Sequence, residues 1–152
     1  MDDLLVVDTS VLVATERGGL PLDTLHEIRP GARPVVSAIT VSELLHGYHR
    51  AQPESRRLSR ERFIAALLSQ LEVLLFDVAV AREHARIWAA LAERGEIIGP
   101  YDLIIAATAV SHKPPLATLN FREFRKIEGL EVLALSPTPN PRRRRRSLRE
   151  DE

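Results

Sequence analysis

The chain contains no cysteine and no long apolar run. Without cysteine it can form neither a disulfide nor a thiolate metal site, so a bound metal would need oxygen or imidazole ligands. No apolar stretch approaches the roughly 20 residues of a membrane-spanning helix. The opening Met1-Asp2-Asp3 lacks the basic and apolar segments of a secretory signal. We therefore expect a cytoplasmic protein without membrane contact, in which carboxylates are the ligands to look for.

The length and composition indicate one domain followed by a tail. With 152 residues, 45% of them hydrophobic, the chain can bury one core but hardly two. Residues 1–136 carry 15 basic and 18 acidic side chains, whereas residues 137–152 carry six arginines and three acids. The Pro-rich and Arg-rich segment at residues 136–152 cannot bury apolar area, and we predict that it is disordered. The predicted domain is therefore residues 1–135.

The basic residues are nearly all arginine, with only two lysines among 21. Arginine suits bidentate phosphate contacts, but a GC-rich coding sequence also explains the bias. The run from Arg142 to Arg146 either binds RNA phosphates or only keeps the tail soluble. A second group of arginines in one predicted helix forms either a basic patch or only the solvated face of that helix. The group consists of Arg56, Arg57, Arg60 and Arg62.

Apolar runs alternate with helical patterns along the chain. Strands are predicted at residues 4–7, 34–37, 73–76, 116–119 and 130–133. Helices are predicted to start near Thr9, Leu22, Thr40, Arg56, Val80, Pro100 and Phe121. The helix after Pro100 is apolar nearly all round, so it should be covered on both sides. This order predicts an α/β three-layer sandwich with a central parallel sheet of about five strands.

Three acids lie where such a sheet places its ligands. Asp8 ends the first strand, Glu43 lies one turn into the helix after the second strand, and Asp102 lies in the first turn of the late apolar helix. In parallel α/β sheets, ligands bind beyond the carboxyl ends of the strands. Carboxylates crowded at a core edge are costly unless they are neutralised, and a hard cation such as Mg²⁺ or Mn²⁺ would neutralise them. Phosphodiester hydrolysis is the chemistry that such a site supports.

Each acid also has a structural explanation. Asp8 could cap the first helix, Glu43 could complete a capping box with Thr40, and Asp102 could interact with a helix dipole. Nearby polar side chains have the same two interpretations, because they could orient water or phosphate or could serve ordinary turns. These are Thr9, Ser10, Thr118 and Asn120.

Four segments resemble successive motifs of PIN domains, and in particular of VapC-type toxins. They are VDTSVL at residues 7–12, TVSELLHG at 40–47, GPYDLIIAATA at 99–109 and ATLNFREF at 117–124. Each motif alone is weak, but four in order over roughly residues 4–135 are specific. The resemblance implies a Mg²⁺- or Mn²⁺-dependent endoribonuclease that cleaves cellular RNA. It also implies inhibition by a cognate antitoxin and assembly into a homodimer.

The resemblance assigns the core acidic positions to Asp8, Glu43 and Asp102. In the fourth motif, Asn120 stands where many PIN domains carry aspartate, and Glu123 follows three residues later. This departure leaves the number of metals open. With fewer charges in the site, we expect one tightly held metal and a second that arrives with the substrate.

Several alternatives remain beside this interpretation. His46 and His49 are spaced as a metal pair but lack a third imidazole, so a solvated or stacking role is favoured, and His84 lies on an apolar stripe. A phosphate-accepting receiver module would use Asp77, although the acidic pair such modules need is missing beside Asp8. A further alternative is a PIN fold that binds RNA or a partner protein with negligible cleavage.

Overall fold

The computed structural model describes residues 3–18, 20–21 and 23–136. The tail from residue 137 onward, including Arg142 to Arg146, lies outside these residues. Leu22, the predicted start of the second helix, also lies outside them. Among the described residues, no helix combines the length and the apolar character needed to cross a membrane.

Five short strands form one parallel sheet at the centre of the molecule. They are β1 (Leu4–Val7), β2 (Arg33–Ser37), β3 (Glu72–Leu74), β4 (Leu116–Thr118) and β5 (Val132–Ala134). Their spatial order is β3-β2-β1-β4-β5, and every neighbouring pair is parallel. The predicted five-stranded parallel sheet is confirmed.

Both faces of the sheet are covered by helices. Because strand side chains alternate between faces, Val6 of β1 joins one hydrophobic cluster and its neighbours Leu5 and Val7 join the other. The first four helices supply the cluster around Leu5 and are α1 (Thr9–Glu16), α2 (Thr24–Ile28), α3 (Ala38–Arg50) and α4 (Glu54–Gln70). The cluster around Val6 packs against α5 (Val78–Glu93), α6 (Pro100–His112) and α7 (Phe121–Phe124). The predicted three-layer sandwich is therefore confirmed.

Helix α6 is buried in its middle over almost its whole circumference, as its apolar sequence predicts. Consecutive residues from Ile105 to Ala109 are all buried. A helix that is apolar on every side must have protein around it. Its first turn, which carries Asp102, is thereby anchored by a rigid element.

The predicted start of α3 is wrong. The helix begins at Ala38, and Ser37 is its N-cap, with a side chain that accepts a hydrogen bond from the Ile39 N–H at 3.3 Å. Thr40 lies inside the helix and is fully buried, so no capping box joins it to Glu43. The reason is that β2 passes directly into α3 without a loop, which places the cap three residues earlier.

The predicted end of β3 is also wrong. The strand stops at Leu74 because that residue pairs with Ser37, the last residue of β2. Beyond Ser37 the chain becomes helical and offers no ladder partner, so Leu75 and Phe76 are 69% and 49% exposed. β4 ends at Thr118, one residue earlier than predicted, and β5 runs from Val132 to Ala134 instead of from residue 130 to 133, because the two strands pair only over these three positions.

The strand order defines a crevice at the carboxyl edge of the sheet. From β1 the chain moves to β2 and β3 on one side, whereas β4 and β5 are added on the other. The place where this direction reverses is the usual ligand position in open α/β sheets. Here the crevice lies between the ends of β1 and β4, where Asp8 and Thr118 are located.

Candidate functional site

Asp8 lies at the bottom of the crevice and is only 3% exposed. It occupies the N-cap position of α1, but its side chain makes no capping hydrogen bond. Instead, its Oδ2 accepts hydrogen bonds from Ser10 Oγ at 2.6 Å and from Thr118 Oγ1 at 2.8 Å. The capping explanation of Asp8 therefore fails, and its carboxylate is held by two hydroxyl groups.

Both hydroxyl groups are themselves held by the backbone. Ser10 Oγ accepts the N–H of Leu119 at 3.2 Å, and Thr118 Oγ1 accepts the N–H of Asn120 at 2.9 Å. Because an oxygen lone pair of each hydroxyl is occupied in this way, its proton is free to point at Asp8. The two hydroxyl groups, one from helix α1 and one from strand β4, thus fix the orientation of the Asp8 carboxylate.

Glu43 is brought to the same edge by α3. Its Oε1 accepts a hydrogen bond from Thr9 Oγ1 at 2.8 Å, and the Thr9 hydroxyl also lies 3.0 Å from that of Thr40. Burial raises the pKa of Glu43, the Thr9 hydrogen bond opposes that rise, and the negative charge of Asp8 adds to it. Glu43 and Asp8 are therefore electrostatic neighbours.

Asp102 completes the acidic group from the opposite layer. Its pKa is raised to about 6, chiefly by burial and then by the charges of Asp8, Glu43 and Glu123 in that order. Within the described residues its carboxylate has neither a hydrogen-bond donor nor an ion-pair partner. Its position in the first turn of α6 favours the ionised form by the helix dipole, but burial and like charge outweigh that effect.

The two candidates from the fourth motif, Glu123 and Asn120, differ in their contacts and in their exposure. Glu123 is partly buried beside the acidic group and forms an ion pair with Lys126 at 3.5 Å. Asn120 is exposed, makes no side-chain cap for α7, and contributes only its backbone N–H to Thr118.

Sequence reasoning missed Thr40 as a partner of Thr9, because the threonine was interpreted only as a helix cap. Its place three residues before Glu43 was the available signal.

Among the described residues, the acidic group as it stands is not arranged as a metal site. In the described part of the chain, no three His, Cys, Asp or Glu side chains are arranged to hold a metal ion as they stand. The donor set nevertheless suits a hard cation, because it consists of carboxylate oxygens. No arginine or lysine of the described residues forms an ion pair with Asp8, Glu43 or Asp102. The charge of these three side chains is therefore not balanced by an ion pair within the described residues.

The alternative sites are not supported. His46 and His49 are exposed, and His49 contacts the Tyr48 ring at 5.0 Å between centroids, which agrees with a stacking role. His84 is partly buried in edge-to-face contact with Phe76 and Trp88.

A receiver-type phosphate acceptor at Asp77 is also not supported. Asp77 caps α5 by accepting the Val80 N–H at 2.9 Å. It follows the edge strand β3 and is far from the crevice in strand order. Asp77 is thus a helix cap after an edge strand, apart from the acids of the crevice.

A sequence model of the PIN domain matches residues 5–130 of the chain. The chain is also 36% identical over 132 residues to "Ribonuclease VapC1" of Rickettsia felis, an alignment that covers 87% of this chain and 96% of the relative. The chain belongs to the PIN-domain family of VapC ribonucleases. All three core acids lie within the matched range.

Two further PIN-domain relatives agree with this membership. The "tRNA(fMet)-specific endonuclease VapC" of Salmonella typhimurium is 36% identical over 101 residues, covering 66% of this chain and 74% of the relative. The crystal structure of DNA-bound VapBC from Salmonella typhimurium superposes with a TM-score of 0.77 at 28% identity, covering 87% of this chain and 98% of that chain. The VapC fold is thus matched over nearly its whole length.

Proposed function

We propose that this VapC-family protein is a Mg²⁺- or Mn²⁺-dependent endoribonuclease whose metal is held by Asp8, Glu43 and Asp102. The observation that carries the proposal is the unbalanced negative charge of the crevice. The charge of Asp8 contributes to the raised pKa of Glu43, and the charges of Asp8 and Glu43 contribute to the raised pKa of Asp102. None of the three acids has a basic partner among the described residues. A divalent cation would offset this cost and would draw the three side chains together.

The bound ion would balance the charge that develops on the phosphate oxygens and would promote ionisation of the attacking water. The chain's own residues prepare this chemistry. Ser10 and Thr118 hold Asp8 in one orientation, and Thr9 holds Glu43. Asp102 projects from a buried helix whose position is fixed by packing. Hydrogen bonds from neighbouring residues commonly fix the orientation of metal ligands in this way.

We assign supporting roles to Thr9, Ser10 and Thr118, and a weaker one to Glu123. Lys126 partly neutralises Glu123, which makes it a poorer ligand than the three core acids. This arrangement favours one tightly held metal, with a second ion that enters with the RNA and uses Glu123. Asn120 would act through its backbone N–H rather than through its side chain.

We further propose that the chain is the toxin of a toxin–antitoxin pair, acts on RNA in the cytoplasm, and forms a homodimer. Support comes from the VapBC complex that it resembles and from an apolar surface on α5 and α6. There, a cavity of about 530 Å³ is bordered by Trp88 and Ile97, which are 62% and 84% exposed. Exposed apolar surface of this kind is typical of proteins with protein partners.

The test of the enzyme is cleavage of RNA by the purified chain with Mg²⁺, with Mn²⁺ and with EDTA. We expect metal-dependent cleavage by the wild type and a loss of at least 100-fold in Asp8→Ala and Asp102→Asn. Asp77→Asn is the matched control, because it removes an acid from another helix start. Equal cleavage by all variants would refute the assignment of the site.

One observation favours a second candidate, a PIN-fold module that binds RNA or a partner protein with negligible cleavage. The acids of the described residues do not form a ready metal site. Such a module would bind RNA in the assay above but leave it uncleaved in the presence of every metal. RNA end mapping after induction of the wild type, with Asp8→Ala as the control, separates the two candidates in cells.

A further inference from the structure

A second cavity opens beside the acidic site, and four of its nine lining residues are arginines. It measures about 540 Å³ and lies among the ends of α1, α3 and α4. We call it the arginine cavity, and its charged wall consists of Arg17, Arg50, Arg56, Arg60 and Glu43. With four arginines and one acid on its wall, the cavity is positively charged, although one of the arginines, Arg60, is paired with Glu16.

Helix ends explain only part of this charge. Arg17 is the C-cap of α1 and Arg50 is the last residue of α3, where cations interact favourably with the helix dipole. Arg56 and Arg60 lie near the start of α4, where the dipole disfavours cations at the first turn. They are four residues apart and therefore share one face of the helix. The helix dipole therefore does not explain why Arg56 and Arg60 both line the cavity.

Arg60 is held in place by two features. Its Nε lies 3.1 Å from Glu16 Oε1, so α4 is tied to α1. Its guanidinium also rests against Gly47 of α3, where an added Cβ would collide with Nη1. A glycine inside a helix costs about 1 kcal/mol relative to alanine. Gly47 therefore makes room for Arg60 at the expense of helix stability.

The other three arginines are available to a ligand. Arg17, Arg50 and Arg56 are exposed, and none forms an ion pair with a carboxylate in the part of the chain that the structure describes. The single acid of the wall, Glu43, also belongs to the acidic site through its hydrogen bond with Thr9. An anion bound in the arginine cavity would thus be next to the crevice.

We propose that the arginine cavity binds the phosphates of single-stranded RNA adjacent to the bond that is cleaved. The inference rests on the proposed ribonuclease function and identifies where its substrate lies. RNA is a polyanion and would be repelled by the acidic site alone, so a neighbouring positive surface is needed to hold the strand. Planar guanidinium groups suit phosphate oxygens because they can donate two parallel hydrogen bonds.

The test measures RNA binding separately from cleavage. Fluorescein-labelled single-stranded RNA is titrated with the full chain in EDTA, and fluorescence anisotropy is recorded at several NaCl concentrations. We expect the double variant Arg50→Gln with Arg56→Gln to bind about 10-fold more weakly. Its plot of log affinity against log salt should be shallower by about 0.7 for each phosphate that the variant leaves without a cationic partner.

The matched control is the double variant Arg62→Gln with Arg82→Gln, which removes the same charge from exposed positions of α4 and α5 outside the cavity. It should bind RNA within about twofold of the wild type. Equal losses in both double variants would overturn the proposal, because they would show a general charge effect. No loss in the cavity variant would also overturn it.

Gly47→Ala provides a second variant that should fold well, since alanine favours the helix. We expect it to weaken RNA binding because the methyl group displaces Arg60. Binding that depends on the cavity without any cleavage in Mg²⁺ or Mn²⁺ would support this inference while refuting the ribonuclease. RNA cleavage in Mg²⁺ or Mn²⁺ together with RNA binding that the cavity variants do not weaken would support the ribonuclease and refute this inference. If the cavity variants lose antitoxin binding but retain RNA binding, the cavity is a protein site and the inference fails.

Discussion

Replacement of Asp102 by asparagine should make the metal-free protein more stable at neutral pH. The wild-type carboxyl has its pKa raised from an ordinary value of 3.8 to about 6, first by burial and then by Asp8, Glu43 and Glu123. At pH 8 the folded protein must therefore carry a charge that its surroundings disfavour. Asparagine has nearly the same shape and carries no charge, so the penalty should disappear in the variant.

The expected gain is about 1 kcal/mol. A pKa difference of about two units corresponds to roughly 3 kcal/mol. Because Asp102 is only half-buried, solvent screening reduces that figure to about 1–2 kcal/mol. Loss of the favourable helix-dipole interaction at the first turn of α6 subtracts roughly 0.5 kcal/mol. For a chain of this size, the net gain would raise Tm by about 3 °C.

The pH dependence follows from the sign of the shift. Between about pH 4 and pH 6 the folded wild type retains a proton on Asp102 that the unfolded chain has lost, so its stability falls as the pH rises. Below this window both states are protonated, and above it both are ionised and the penalty is complete. The advantage of Asp102→Asn should therefore be near zero at pH 4 and full above pH 6.

Urea unfolding in EDTA at pH 4, 5, 6 and 8 measures this advantage directly. Glu54→Gln is the control, because Glu54 also lies in a first turn, that of α4, and is exposed. The control should be slightly destabilised at pH 8. If Asp102→Asn is no more stable than the wild type at pH 8, or if its advantage does not shrink on acidification, the crowding of charge inferred for the crevice is wrong.

Three further predictions concern the hydrogen bonds that hold the site and its helix. Thr118→Val should lower metal-dependent cleavage at least 10-fold and destabilise the protein by about 1–2 kcal/mol, since Asp8 loses a buried donor; unchanged kcat would contradict this. Thr9→Val should raise the pKa of Glu43 further, so the rising limb of the pH–rate profile should move to higher pH. Ser37→Ala should cost about 1 kcal/mol in urea unfolding and leave cleavage within about twofold, because it removes the N-cap of α3 and a long 3.4 Å hydrogen bond from Thr108 Oγ1 but no bond to the three acids.

The layers of the fold follow from local sequence patterns. Continuous apolar runs at β1 and β2 and the apolar circumference of α6 are consequences of burial on both sides, and they can be recognised without a structure. The positions of Asp8 and Asp102 follow as well, because each comes at a junction that these patterns define. Four ordered motifs then indicated the family correctly.

What the sequence could not reveal depends on contacts between distant residues. Thr118 and Asp8 are separated by 110 positions, and only the pairing of β1 with β4 brings their side chains within 2.8 Å. Likewise, β3 ends where β2 stops offering partners, which its own apolar residues do not show. The arginine cavity requires α1, α3 and α4 to meet, and single helices indicate only a charged face.

The central claim is that Asp8, Glu43 and Asp102 hold a divalent metal, and electron paramagnetic resonance of Mn²⁺ tests it most directly. Free Mn²⁺ is measured during titration of the wild type, Asp8→Asn, Asp102→Asn and the control Asp77→Asn at pH 7.5. We predict one tightly bound Mn²⁺ per chain in the wild type and in the control, and a loss of at least 10-fold in affinity in the two site variants. Equal Mn²⁺ binding by all four proteins, or no binding by the wild type, would contradict the account.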